Sequence, residues 1–257
     1  MRLKLTLEYD GSKFVGWQVQ PNGRSVQAVV EQGISRLCGE PIRVVAAGRT
    51  DSGVHARGQV ISLEARALPL KAWTAGLNAL LPDDVSCVRA EEAPSGFDAR
   101  RWARGKRYIY SILQTNTRAP LQRHVWEIRR PLDVEAMRAA SPALVGTHDF
   151  AALRAADCPA KTTVREIRKL QIVQRDRHVD VIVEATAFLK HMVRNIVGTL
   201  VEVGHGRRPA DSLAMLLAGR DRIRAGPTAP ARGLVLDEVF YLPGNADPRA
   251  EELPDDE

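Results

Sequence analysis

Leu3-Lys4-Leu5-Thr6-Leu7-Glu8-Tyr9 alternates apolar and polar side chains without a break. A period of two puts the leucines and the tyrosine on one side of an extended chain, so this stretch reads as a strand with one buried face. Asp10-Gly11-Ser12 ends it as a turn. The residues that follow must supply a layer to cover that face. Ser25 is placed to cap a helix whose apolar stripe is Val26, Val29, Val30, Ile34 and Leu37. A short strand at 42–46, a loop at 48–53 and a strand at 59–65 follow. A helix over 70–80 sets Trp73, Leu77 and Leu80 on one face, and a strand at 84–90 closes the series.

The pattern then recurs. A strand covers 106–113, and a helix covers 134–144 with Pro142 weakening its last turn. Strands at 167–174 and 179–185 form a hairpin turning at Arg175-Asp176-Arg177. The longest helix spans 188–203, a shorter one 211–217, and a strand at 234–241 ends the folded part. The strands are too close in sequence for a series of parallel crossovers, so the fold class is α+β. The expected architecture is two similar α/β halves, each a mainly antiparallel sheet with helices on one face, around a basic cleft. Residues 1–103 form the first half, 104–243 the second, and 244–257 an acidic, disordered tail.

Bulk composition narrows the function. Apolar residues make up 44% and charged residues 26%, the profile of a soluble globular chain. No eighteen-residue apolar run exists, so no membrane-spanning helix is expected. Charges break up the N-terminus, which does not read as a signal peptide. Cys38, Cys87 and Cys158 lack paired spacing, which points away from disulfides or a zinc knuckle and toward a reducing cytoplasm. Net charge is +6, but residues 247–257 carry −5, which leaves +11 on the body. A body that basic favours a polyanionic partner.

Three clusters can carry chemistry. In Gly48-Arg49-Thr50-Asp51-Ser52-Gly53-Val54-His55, two glycines bracket a cation, a carboxylate and two hydroxyls. Arg49 and Asp51, two apart in an extended loop, are placed to pair. The plainer alternative is a surface loop in which Asp51 makes an Asx turn and Arg49 is solvated. No Gly-x-Ser-x-Gly elbow or phosphate-binding Gly-rich loop accompanies it. Asp51 and His55 are four apart, but Gly53 argues against a helix there and a third metal ligand is missing. The second cluster, Arg100-Arg101-Trp102-Ala103-Arg104-Gly105-Lys106-Arg107-Tyr108-Ile109-Tyr110, interleaves cations and aromatics, as RNA binding requires. Tyr108 and Tyr110 share strand parity and face one side; an edge strand with both packed inward would look the same. In the third, Phe188 to Gly198, the stripe Phe188, Met192, Ile196 and Leu200 reads as core. Lys190 and Arg194, at i and i+4, would hold one phosphate edge.

In this order the clusters resemble the TruA family of tRNA pseudouridine synthases. The likeness runs through Tyr9 to Gln18, Ser25-Val26-Gln27, Gly48 to His55 and Gly58-Gln59-Val60. It continues through Phe97-Asp98-Ala99-Arg100, Lys106 to Tyr110, His148-Asp149-Phe150, Phe188 to Gly198 and Gly233 to Leu236. Ser52 departs from the alanine usual in the family. The resemblance implies isomerisation of uridine to pseudouridine at positions 38, 39 and 40 of the tRNA anticodon arm. It makes Asp51 the nucleophile, Arg49 its salt-bridge partner and Tyr108 the ring that stacks on the target base. Arg100, Lys190 and Arg194 would lie near the RNA. It also implies a homodimer. Such an isomerisation oxidises nothing and donates no group, so no cofactor is expected, and without a metal-ligand constellation no metal is expected either. A catalytically silent tRNA-binding protein on the same fold would share the basic and aromatic features but has no need of the Asp51 loop. If the 100–107 segment binds phosphates, Arg101→Ala/Arg104→Ala should lower the slope of log affinity against log salt by roughly 0.7–0.9 per lost cation. Titrations with tRNA at several salt concentrations measure it; an unchanged slope removes the segment from the RNA footprint.

Overall fold

The computed structural model describes residues 1–21 and 23–248. In chain order the elements begin with β1 (Arg2–Tyr9), α1 (Val26–Cys38), β2 (Val45–Ala46), β3 (His55–Glu64), β4 (Val85–Glu92) and β5 (Gly105–Gln114). They continue with β6 (Trp126–Ile128), α2 (Val134–Ala140), β7 (Gly146–Asp149), β8 (Val164–Arg175) and β9 (His178–Ala185). The last are α3 (Met192–Gly204), α4 (Ser212–Gly219) and β10 (Leu234–Phe240). Among the described residues, no helix is long and apolar enough to cross a membrane.

The chain divides into two compact units. One comprises Met1–Lys106 and the chain from Leu236 onward; the other is Arg107–Val235. In the first, the strand order is β4-β1-β3-β10, with β2 on β3. β1 pairs antiparallel with both β3 and β4, with Leu3 opposite Leu63 and Leu5 opposite Ile61. Leu3, Leu5, Leu7 and Tyr9 are all buried, as the alternation requires. Ser25 caps α1 by accepting the Ala28 amide at 3.3 Å, and Gly39 ends it in the left-handed conformation that glycine adopts without strain. Val26, Val30 and Ile34 are buried, whereas Val29 and Leu37 are only half-buried. The helix expected at 70–80 runs over 70–78; within it Ala72–Gly76 takes π-type hydrogen bonds, and Trp73 and Leu77 are buried completely.

In the second unit the order is β5-β9-β8-β7, with β6 parallel to β5. β8 and β9 form the expected hairpin, closing at Arg175 opposite His178 with Asp176 at φ +51°. The last turn of the helix expected at 134–144 tightens to a 3-10 turn, Ser141–Leu144, where Pro142 sits. α3 starts at Met192 rather than at 188, because His191 adopts a left-handed conformation (φ +62°) that interrupts the right-handed helix. Lys190 therefore lies outside the helix, and it does not share a helical face with Arg194.

β10, expected within 104–243, straddles the division of the chain: Leu234 and Val235 fall in the second unit and Leu236 onward in the first. Strand pairing is a long-range choice that distance along the chain does not encode. The acidic tail falls mainly on residues 249–257, which lie outside those described. Its beginning is structured: Pro243–Asn245 forms a 3-10 turn, and Lys4 Nζ donates to Asn245 Oδ1 at 2.8 Å.

α3 interlocks with the segment after α4. A Cβ on Gly198 would stand 1.7 Å from the Pro227 carbonyl oxygen, and one on Gly226 would stand 2.7 Å from the Gly198 oxygen. Asn195, fully buried, donates to the Leu153 carbonyl and accepts from Arg222 and Thr228. Thr199 Oγ1 donates to the Asn195 carbonyl and accepts the Gly226 amide. Gly198→Ala cannot be relieved by rotating a side chain, since the obstacle is backbone. It should cost about 3 kcal/mol, read as a lower midpoint in urea unfolding; an unchanged midpoint would show that this seam yields freely.

Candidate active site

The 48–55 segment joins β2 to β3 and is held by three parts of the first unit. From β1, the Tyr9 hydroxyl and Thr50 Oγ1 share a buried hydrogen bond of 2.8 Å. From β3, Gln59, fully buried, donates through Nε2 to the Gly48 carbonyl at 2.8 Å. From the 14–17 turn, the Trp17 amide donates to the Thr50 carbonyl at 3.0 Å, and the Phe14 carbonyl accepts the Gly53 amide at 3.3 Å. The close approach requires glycine at two positions. Gly16 sits at φ +114°, and a Cβ there would stand 2.8 Å from the Thr50 oxygen. Gly11 would place one 2.0 Å from the Val54 oxygen; its own amide donates to His55 Nδ1 at 3.0 Å.

Within this frame the loop tip turns sharply. The Val54 amide closes back on the Asp51 carbonyl at 3.1 Å, with Gly53 at φ +75°. Thr50 and Val54 are buried, Asp51 is half-buried, and Arg49 and Ser52 are exposed. Asp51 thus presents its carboxylate from a backbone fixed on both sides. Ser52, the departure from the family pattern, donates to the Phe14 carbonyl at 3.3 Å and adds to the clamp.

Arg49 was expected to pair with Asp51. Among the described residues no ion pair within 4.0 Å joins them, and Arg49 is an exposed cation. The two share an extended loop, but side chains two apart in sequence need not converge when the backbone between them turns. Arg100 is exposed at a turn in which Asp98 Oδ1 accepts the Arg100 and Arg101 amides, each at 2.8 Å.

The other sequence-singled residues belong to the second unit. Tyr108 on β5 is buried, and its ring meets Phe188 edge-on at 4.9 Å between centroids. Tyr110 is buried as well; its hydroxyl donates to the Pro230 carbonyl at 2.8 Å, and burial pushes its phenol up. Arg107 pairs with Glu184 at 2.8 Å, so this cation of the basic run is already engaged. Arg194, in the first turn of α3, donates through Nε to the Ala229 carbonyl at 2.7 Å. Lys190 pairs with Asp157 at 2.5 Å, and the amine holds that carboxyl below its usual range. Lys190 and Arg194 therefore have separate partners rather than one shared edge.

Sequence reading missed the supports. Tyr9 registered as a strand residue and Gln59 as part of a resemblance, but neither signal revealed a hydrogen bond to the 48–55 loop. A fully buried glutamine inside a strand is the cue that was available, because a buried amide needs a partner.

A family model described as tRNA pseudouridine synthase matches residues 6–100 and 140–242, and the chain belongs to that family, which is a family of isomerases. Three curated relatives each bear the name tRNA pseudouridine synthase A. The protein of Myxococcus xanthus is 59% identical, over 95% of this chain and 93% of its own length. That of Syntrophotalea carbinolica is 49% identical over 94% and 96%, and that of Geotalea uraniireducens 46% over 93% and 99%.

The clamp can be tested without substrate. Thr50→Val keeps the shape but removes a hydrogen-bond partner of the buried Tyr9 hydroxyl, and should cost about 1–3 kcal/mol. Thr50→Ser should restore most of it. Equal midpoints for the valine and serine variants in urea unfolding would deny the hydrogen bond its role.

Proposed function

We propose that this protein isomerises uridine to pseudouridine at positions 38, 39 and 40 of the tRNA anticodon stem-loop, with Asp51 as nucleophile. Family membership gives the reaction class. The single observation that carries the assignment of Asp51 is its place at the tip of a loop pinned by Tyr9, Gln59 and the 14–17 turn. A backbone held from three directions suits a group that must meet one atom of a substrate. A solvated Asx turn has no need of such fixing.

The reaction breaks the C1′–N1 bond and forms C1′–C5. C5 loses a proton and N1 gains one, so the atoms balance with no oxidant, reductant or donated group. In this reading the base leaves its stack, and the Tyr108 ring offsets the stacking lost. The Asp51 carboxylate adds covalently to the base or sugar, which frees the base to rotate before the new bond forms. Arg100, Lys190 and Arg194 supply positive charge toward the RNA, and exposed Arg49 joins them. Two similar halves around a basic cleft, a homodimer and a cytoplasmic location complete the reading. The strongly basic body supports the RNA part of it, through counterion release.

Asp51→Asn separates an enzyme from a silent binder. Asparagine keeps size and one oxygen but has neither the negative charge nor the nucleophilicity. Pseudouridine formation should vanish in single-turnover assays with enzyme in excess, while tRNA binding at fixed salt persists. Near-wild-type turnover, with deamidation to aspartate excluded by mass, would end the assignment.

A further inference from the structure

Lys106, the second residue of β5, carries a cation with no counterpart. Among the described residues its ammonium makes no hydrogen bond and no ion pair. It reaches over the start of the Asp51 loop: a Cβ on Gly48 would stand 3.0 Å from Lys106 Cε and 3.3 Å from Nζ. Gly48 thus makes the room through which the amine extends, while Gln59 holds the Gly48 carbonyl from the other side. The charged group close enough to be felt there is another cation, Arg100. Arg100 likewise has no ion pair among the described residues, and the neighbouring acid, Asp98, is occupied with the Arg100 and Arg101 amides.

Lys106 is half-buried, and a cation that gives up part of its hydration is ordinarily paired. A cation beside the reactive loop, felt by a second cation and with no ion pair among the described residues, suits an anionic group of the substrate. We infer that Lys106 seats one backbone phosphate of the RNA substrate against the loop that carries Asp51. This rests on the proposed function. It adds an anchor on the chain's own RNA-facing surface, separate from the base-stacking tyrosine.

The ionisation of Lys106 agrees with an anion-binding role. Burial first, and Arg100 second, lower its pKa to about 8. Without RNA the folded protein therefore holds this charge at a cost, and a phosphate would remove that cost.

The test uses the full chain and an unmodified tRNA anticodon stem-loop. Lys106→Met should weaken binding roughly tenfold or more and lower the slope of log affinity against log salt by about one. Its thermal midpoint without RNA should equal or exceed that of the wild type. Lys106→Arg should retain most of the slope. An unchanged slope in Lys106→Met, or a lower midpoint with unaltered affinity, overturns the inference. Should the methionine variant not fold, methylphosphonate linkages placed singly around the target uridine take its place with wild-type protein. One linkage should weaken binding; none doing so overturns the seat. A wild-type protein that leaves every uridine unchanged would refute the proposed function instead, so the two failures are distinct.

Discussion

The hydrogen bond between Tyr9 and Thr50 joins the end of the first strand to the middle of the loop that bears Asp51. Its position is dictated by the alternation of β1. Because Leu3, Leu5 and Leu7 point inward, Tyr9 must point inward too, and its hydroxyl arrives in an apolar interior where it needs a partner. Thr50 is that partner. The same burial pushes the phenol well above its usual range, so the hydroxyl stays protonated and can donate. A demand created by packing forty residues upstream thus fixes a backbone position beside the reactive carboxylate.

Local elements were legible wherever a single period ran long enough. β1, α1 with its Ser25 cap, and the β8–β9 hairpin all follow from residue spacing, since the cause of each lies within its own segment. The elements that escaped are short or non-local. β6 and β7 contain three and four residues, too few for alternation to show. The left-handed His191 carries no composition signal, because the residue type does not announce its φ. The placement of β10 beside β3 depends on which strand edge is free when the chain returns.

The candidate site divides in the same way. Gly48 to His55 was recognisable because its chemistry is concentrated in eight consecutive residues. The partners of its side chains were not, because they are chosen in three dimensions. Arg49 was read toward Asp51 from adjacency, yet it is exposed and unpaired with it among the described residues. Lys190 and Arg194 were read as one edge from helical spacing, which fails once the helix begins two residues later than Lys190. Spacing rules hold only after the element that sets the spacing has been located.

Where Gly198 of α3 meets Gly226 and Pro227, main chain touches main chain, with hydrogens where other helix faces carry side chains. Such a seam has no inventory of alternative residues to draw upon. An ordinary core can drift by exchanging a larger group here for a smaller one there, but two backbones in direct contact have no volume to trade. The orientation of α3, and of Arg194 in its first turn, is therefore set by a surface on which sequence variation has almost no purchase. Divergence among descendants of this chain must be absorbed elsewhere in the molecule.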